Sequence, residues 1–296
     1  MKRIREYADA HAWAVSLLIL AVYFVVFAIP ALRDSNSMGR GEGMSDIASL
    51  NKQLPKEIGL VISVIALIAI LGWWRGAGFR ELRPGGLKFA VAPAVFTGLI
   101  LAVIAIVAQM EGTSVLRIAG ASNLLILVIM TLLVGVFEEA LFRGILFKGA
   151  ATKFGPLQVV LVTAAFFGAM HLVNFFTGQP FPKTVIQIIN AAIYGFVYGM
   201  LRLRIGALWP LILLHGFWDT TVATIGTTIA GLTTGSEAES DATVSASSGF
   251  DVGAFAMMLP VLLYGLFLLW RWSKWPLRNE DTTLKSANPG QGWNIG

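Results

Sequence analysis

The sequence predicts an all-α, polytopic integral membrane protein of about eight transmembrane helices, with its functional site inside the helical bundle. Three observations predict it. The 296 residues are 56% hydrophobic and 13% charged, against about 25% charged in a soluble domain, and mean hydropathy is +0.73. Apolar runs recur that are as long as a bilayer is thick, about 20 residues each. Basic residues gather in alternate connectors, the pattern that orients spanning helices.

Met1 to His11 is short and charged, with Lys2, Arg3 and Arg5. Span one follows, roughly Ala12 to Leu32; no cleavage site follows it, so it reads as a retained helix rather than a signal peptide. The connector Arg33 to Lys56 mixes signs and is rich in Gly, Ser and Asn. Span two, Ile58 to Trp74, leads to a basic loop with Arg75, Arg80, Arg83 and Lys88. Span three covers Phe89 to Gln109, and Glu111 and Arg117 lie in the short loop after it. Span four covers Leu124 to Phe147, then come Lys148, Lys153 and Pro156. Span five, Leu157 to Phe176, contains His171, and span six, Val185 to Leu203, ends at Arg202 and Arg204. Span seven, Ala207 to Ala230, holds His215 and Asp219; the connector Gly231 to Asp251 is acidic. Span eight, Val252 to Trp270, precedes a basic stretch and a polar tail of disordered composition.

The basic connectors place both termini in the cytoplasm of a multi-pass cell-membrane protein. Trp73, Trp74, Trp209, Trp270, Trp272 and Trp275 lie near span ends, where indoles favour the interface. The chain divides into N-terminal spans at 1–120, a polar-motif core at 121–230, and an acidic loop, last span and tail at 231–296. The formal charge of +5 is accounted for by the basic loops, so no nucleic-acid partner is expected. With no cysteine, disulfides, thiol nucleophiles and thiolate metal sites are excluded.

The chemistry concentrates at Gly135 to Gly144, where Glu138, Glu139 and Arg143 interrupt an apolar helix. An ionisable side chain at mid-membrane costs roughly 2.5–3.5 kcal/mol on insertion scales and marks a functional site. Residues four apart share a helix face, so Glu139 and Arg143 form a natural ion pair. Glu138 has no cation at that spacing and is left as a candidate general base. His171 shares a face with Phe167, and His215 with Asp219, whose carboxylate can accept the imidazole N–H and fix its tautomer. Asn190 and Gln187 are weaker additions, and His11, at the membrane boundary, reads as incidental. Gly195 and Gly199 read as a close-packing face.

Glu138-Glu139-x-x-x-Arg143, Phe167-x-x-x-His171 and His215-x-x-x-Asp219, in this order and each inside a predicted span, resemble the three signature motifs of the CPBP intramembrane proteases. That group holds the type II CAAX prenyl endopeptidases and the bacteriocin-processing and immunity-type ABI proteins. The resemblance implies an eight-span endopeptidase working from a cavity open to the cytoplasm. It implies that Glu138 and His171 activate a water, and that His215 and Asp219 bind or orient the oxyanion, with Glu139, Arg143 and Phe167 supporting. The third motif of the family ends in Asn or Asp; with Asp219 here, a neutral amide donor is absent. The substrate is a membrane-associated peptide or protein, and a prenylated one is compatible. No cofactor is required in this reading, while zinc or another divalent cation held by Glu138, His171 and His215 is the alternative. Two other readings stand beside it, a non-catalytic immunity or scaffold protein of the same fold and a proton-coupled transporter.

Overall fold

A computed structural model describes residues 2–33, 47–80, 82–176, 178–234 and 252–273. The acidic connector from Glu237 to Asp251 and the polar tail, with Trp275, lie outside the described residues. The elements are helices α1 (Lys2–Ala10), α2 (Ala12–Arg33), α3 (Ile47–Leu71), α4 (Lys88–Met110), α5 (Val115–Ala119) and α6 (Ala121–Glu139), a π-helical segment (Ala140–Leu146), then α7 (Phe147–Ala150), α8 (Pro156–Met170), α9 (Val173–Phe176), α10 (Phe181–Ile205), α11 (Trp209–Thr234) and α12 (Val252–Ser273). No strand occurs among the described residues.

Six stretches are long and apolar enough to cross a membrane: Ala12–Ile29, Gln53–Leu71, Lys88–Met110, Ala121–Ala150, Pro156–Phe176 and Phe181–Ile205. The count of eight is not reached on length and apolarity among the described residues. Helix α11 runs for 26 residues but carries His215, Asp219 and several threonines, which dilute its apolarity. The described apolar part of α12 is the shorter Met258–Trp272. Outward-facing side chains on α2, α3 and α4 are large and apolar. Leu18, Ile62 and Leu99 are each more than 60% exposed, which in water would make an unusually large apolar surface and in lipid is a matched one.

Two close helix pairs position the site, and both rest on glycine. Between α6 and α11, a Cβ on Gly135 would stand 3.0 Å from the Ile212 carbonyl oxygen, and one on Gly216 would stand 3.1 Å from Leu132 Cα. The pair is pinned a turn further along by a hydroxyl contact, Thr131 Oγ1 to Thr220 Oγ1 at 2.7 Å. Between α8 and α10, a Cβ on Gly168 would meet the Ile188 carbonyl oxygen at 2.7 Å, one on Gly195 would meet Ala164 Cα at 2.8 Å, and one on Gly199 would meet Val160 Cγ1 at 2.8 Å. Small residues at such crossings let backbones approach where lipid offers no hydrophobic drive to association. The pairing face expected at Gly195 and Gly199 is present.

Span four is not one uniform α-helix. Its wide turn, Ala140–Leu146, is wholly buried, and its backbone carbonyls draw outside donors. Arg202 Nε donates to the Arg143 carbonyl at 3.3 Å, and Ser16 Oγ to the Ile145 carbonyl at 3.0 Å. Such satisfaction is what permits an irregular turn at membrane depth, and π-turns inside α-helices concentrate at functional sites. Arg202 also donates to the carbonyls of Gly206 and Gly76, tying together the turn before α11 and the loop after α3.

Trp73 departs from the interfacial role expected of it. It is 2% exposed, donates from Nε1 to Asp9 Oδ1 at 2.8 Å, and lies under the Lys148 ammonium at 4.2 Å. The ion pair of Lys148 with Asp9, 2.9 Å, draws α1 and the end of α7 around the indole, so the ring is enclosed by protein. Trp209 and Trp270, about half exposed, fit the anchoring role.

Candidate functional site

The motif residues of spans four, five and seven meet on the inner faces of α6, α8 and α11. Glu139 and Arg143 form the expected pair, Arg143 Nη1 donating to Glu139 Oε1 at 3.0 Å, both side chains almost fully buried. The i, i+4 register survives the π-turn because Glu139 ends α6 and only Arg143 lies inside the wide turn. The guanidinium is sandwiched, with its Cζ 4.3 Å from the Phe167 ring centroid and 5.5 Å from that of Tyr198. Rings on two faces shield a cation that has given up its hydration.

His215 is the hub. Its Nδ1–H donates to Glu139 Oε1 at 2.9 Å, so the same oxygen receives the arginine and the imidazole. Nε2 points between Glu138 Oε2 and Asp219 Oδ2, each at 3.4 Å. Asp219 faces the imidazole as expected, and Glu139 adds a second, closer acceptor at Nδ1. The Gly135 and Gly216 crossing brings α6 against α11 and puts this carboxylate of the neighbouring helix within reach. Glu139 is therefore the residue that orients His215, a larger part than pairing with Arg143 alone.

Burial is graded across the cluster. The side chains of Glu139 and Arg143 are 0% and 1% exposed, and those of Glu138 and Asp219 are 24% each. The inner pair is sealed and the outer two carboxylates face the open side. Three carboxylates and one guanidinium leave two formal negative charges, and a proton on His215 Nε2 would stand between the two outer ones. Glu139 Oε2 and Arg143 Nε are buried with no hydrogen-bond partner among the described residues, a cost accepted to fix the remaining contacts.

His171 caps the C-terminal end of α8. Its Nδ1–H donates to the Phe167 carbonyl at 2.9 Å, which sets the tautomer and leaves the Nε2 lone pair outward. Phe167 joins the histidines, its ring 5.3 Å from His171 and 6.2 Å from His215, edge to face in both cases. Among the described residues no hydrogen bond or ion pair links His171 directly to Glu138.

Other polar residues named from the sequence fall elsewhere. Gln187 accepts from Asn174 and Gln179 at 2.8 and 2.9 Å, forming a clasp between α9 and the start of α10. Asn190 Oδ1 is buried with no hydrogen-bond partner among the described residues. His11 bonds the Tyr7 carbonyl and stacks on the Tyr7 ring, away from the cluster. The sequence reading missed Tyr198, which covers both Arg143 and, at 5.7 Å edge to face, His215. The signal was Tyr194 and Tyr198, four apart on span six. Phe142, wedged edge to face on Phe167 at 5.0 Å, was likewise hidden among apolar neighbours.

A metal would have to be held by Glu138, His171 and His215. Among the described residues no group of three such side chains converges as ligands. His215 turns both ring nitrogens to carboxylates.

Residues 119–221 match the family of type II CAAX prenyl endopeptidase Rce1-like proteins. The matched stretch contains all three motifs and every residue of the cluster. No curated protein and no solved structure matches the chain.

Proposed function

Taking the type II CAAX prenyl endopeptidase-like region as premise, we propose that the protein is an intramembrane endopeptidase in which Glu138 activates water. The observation that carries the reading is the order of contacts in the cluster. A sealed Glu139–Arg143 pair holds His215, whose other nitrogen faces Glu138, the more open carboxylate. A rigid donor beside an accessible base is the arrangement that amide hydrolysis asks for.

Water sits between Glu138 and His171. One hydrogen points to Glu138, the other to the His171 Nε2 lone pair that the Phe167 carbonyl leaves free. The water oxygen attacks the scissile carbonyl carbon as Glu138 takes its proton. The resulting oxyanion is stabilised by His215 Nε2–H, aimed by Glu139 and charge-balanced by Asp219, since an ionised Asp219 cannot itself donate. Glu138 then passes the proton to the leaving nitrogen as the C–N bond breaks, and the remaining hydroxyl proton goes to the His171 Nε2 lone pair, giving a carboxylate and an amine. The substrate is a membrane-associated peptide, with prenylated C-terminal peptides the class that the matched region suggests, entering from the cytoplasmic side.

Cleavage of quenched fluorescent peptides, with and without a prenyl group, by detergent-purified protein tests the reading. Glu138→Ala and His171→Ala lower kcat by about 10²–10⁴-fold while thermal unfolding stays near wild type, and a chelator leaves the wild-type rate unchanged. Chelator inactivation reversed by zinc would move Glu138 and His171 into a metal site instead. A folded Glu138→Ala protein that cleaves at the wild-type rate would overturn the role given to Glu138, and folded wild type that cleaves none of the peptides would leave the immunity or scaffold reading.

A further inference from the structure

Away from the motif cluster, a second concentration of charge is built at the end of the bundle where α4 begins and α10 and α12 end. A cleft of about 110 Å³ opens there, and its lining brings together Arg83, Lys88 and Arg204 with Phe89 and Trp272. Among the described residues no carboxylate lines it. The three cations come from the loop before α4, the start of α4 and the last turn of α10, so the fold rather than one local run collects them.

Basic residues at this end of the helices are expected for topology alone. Topology does not require them to share a cavity. Nor does it require Arg204 to be buried, 6% exposed, with its Cζ 5.3 Å from the ring centroids of both Phe89 and Trp272. Arg204 feels Arg83 and Arg271 as like charges. Arg83 is fixed by its Nη1–H donating to the Leu203 carbonyl at 2.7 Å, and Arg204 by Nη2–H donating to the Leu268 carbonyl at 3.3 Å. Backbone carbonyls thus fix both guanidinium groups in place, with Lys88 exposed. The cleft also opens at the first turn of α4, where a helix dipole favours negative charge. An anion bound here meets three cations from three separate segments. The ring of Trp272 and the apolar flank of Leu203 beside it suit a ligand that is charged at one end and apolar next to it.

We propose that this cleft binds the phosphate of an anionic phospholipid headgroup, a site separate from the proposed proteolytic centre. The mixed basic and indole lining at the end of a helix bundle is the chemistry that recognises such headgroups.

Native mass spectrometry of the full-length protein, together with thermal unfolding in nanodiscs of phosphatidylcholine with or without phosphatidylglycerol, reads the site. Phosphatidylglycerol remains bound to wild type through detergent removal and raises its unfolding temperature. Lys88→Glu, an exposed residue that makes no hydrogen bond among the described residues, weakens retention about five-fold or more, and Arg83→Gln adds a comparable loss, since each cation near an anionic surface contributes on that scale. Both effects shrink at high salt. Lys88→Glu, folded in phosphatidylcholine, that retained phosphatidylglycerol as wild type does would overturn the proposal. Equal protection by millimolar inorganic phosphate in the absence of anionic lipid would overturn the lipid assignment and leave a free-phosphate site.

Discussion

Glu139 carries two demands at once, the Arg143 guanidinium and the His215 Nδ1–H, on a single oxygen. Removing one partner of a sealed pair strands the other charge, which costs about 3–5 kcal/mol. Arg143→Met therefore lowers the unfolding free energy by that order in a denaturant titration in detergent, more than the loss of an exposed pair would. Glu139→Gln keeps the shape but weakens the hold on His215. Its expected signature is a fall in kcat for peptide cleavage at nearly unchanged KM, because a positioning contact is felt mainly in the transition state. At Asp219, 3.4 Å from Nε2, Asn retains the volume and adds a donor, so Asp219→Asn keeps activity within about ten-fold of wild type. A loss as large as that of Glu138→Ala would place the Asp219 charge itself in the reaction.

The crossings of α6 with α11 and of α8 with α10 decide whether residues far apart in sequence meet. Gly168→Val and Gly195→Val force a side chain into the backbone of the partner helix, and overpacking of this kind costs about 1–3 kcal/mol. Each variant is expected to unfold at a lower temperature and to lose cleavage together with stability. A helical glycine with open space gives the contrast. Gly59 in α3 has nothing within 4 Å of a built Cβ, so Gly59→Ala is neutral or stabilising by up to about 1 kcal/mol. The sequence flagged Gly195 and Gly199 by their spacing. Gly135 and Gly216, which set the geometry of His215, carry no such spacing, because a single glycine facing a single carbonyl is an encounter between helices and leaves no repeat. The π-turn was illegible for the same reason. Apart from Gly144 its residues are ordinary helix formers, and the donors that satisfy its carbonyls, Ser16 and Arg202, come from α2 and α10.

For the molecule as a whole, alternating basic connectors predict that both termini lie in the cytoplasm. The chain contains no cysteine, which makes single introduced cysteines clean reporters. Lys2→Cys and Ser286→Cys are expected to react with a membrane-impermeant maleimide only after permeabilisation, and Ser240→Cys in intact cells; the reverse pattern would invert the orientation and the side from which substrate enters.

By itself the sequence determined that the chain is a helical membrane protein and singled out most of the polar residues that meet in the buried cluster. Apolar length is a local property and an intramembrane charge is conspicuous wherever it occurs, so both can be read without coordinates. The Glu139–Arg143 pair was legible too, since four residues along one helix fix that proximity. Only the tertiary structure decided that Glu139 joins Asp219 in holding His215, that Tyr198 and Phe167 enclose the arginine, that Trp73 turns inward to Asp9, and that Arg83, Lys88 and Arg204 share one cleft. Those contacts depend on how closely and at what level separate helices cross. That is set by backbone meeting backbone at a few glycines and by partners tens of residues away, to which no local pattern in the chain responds.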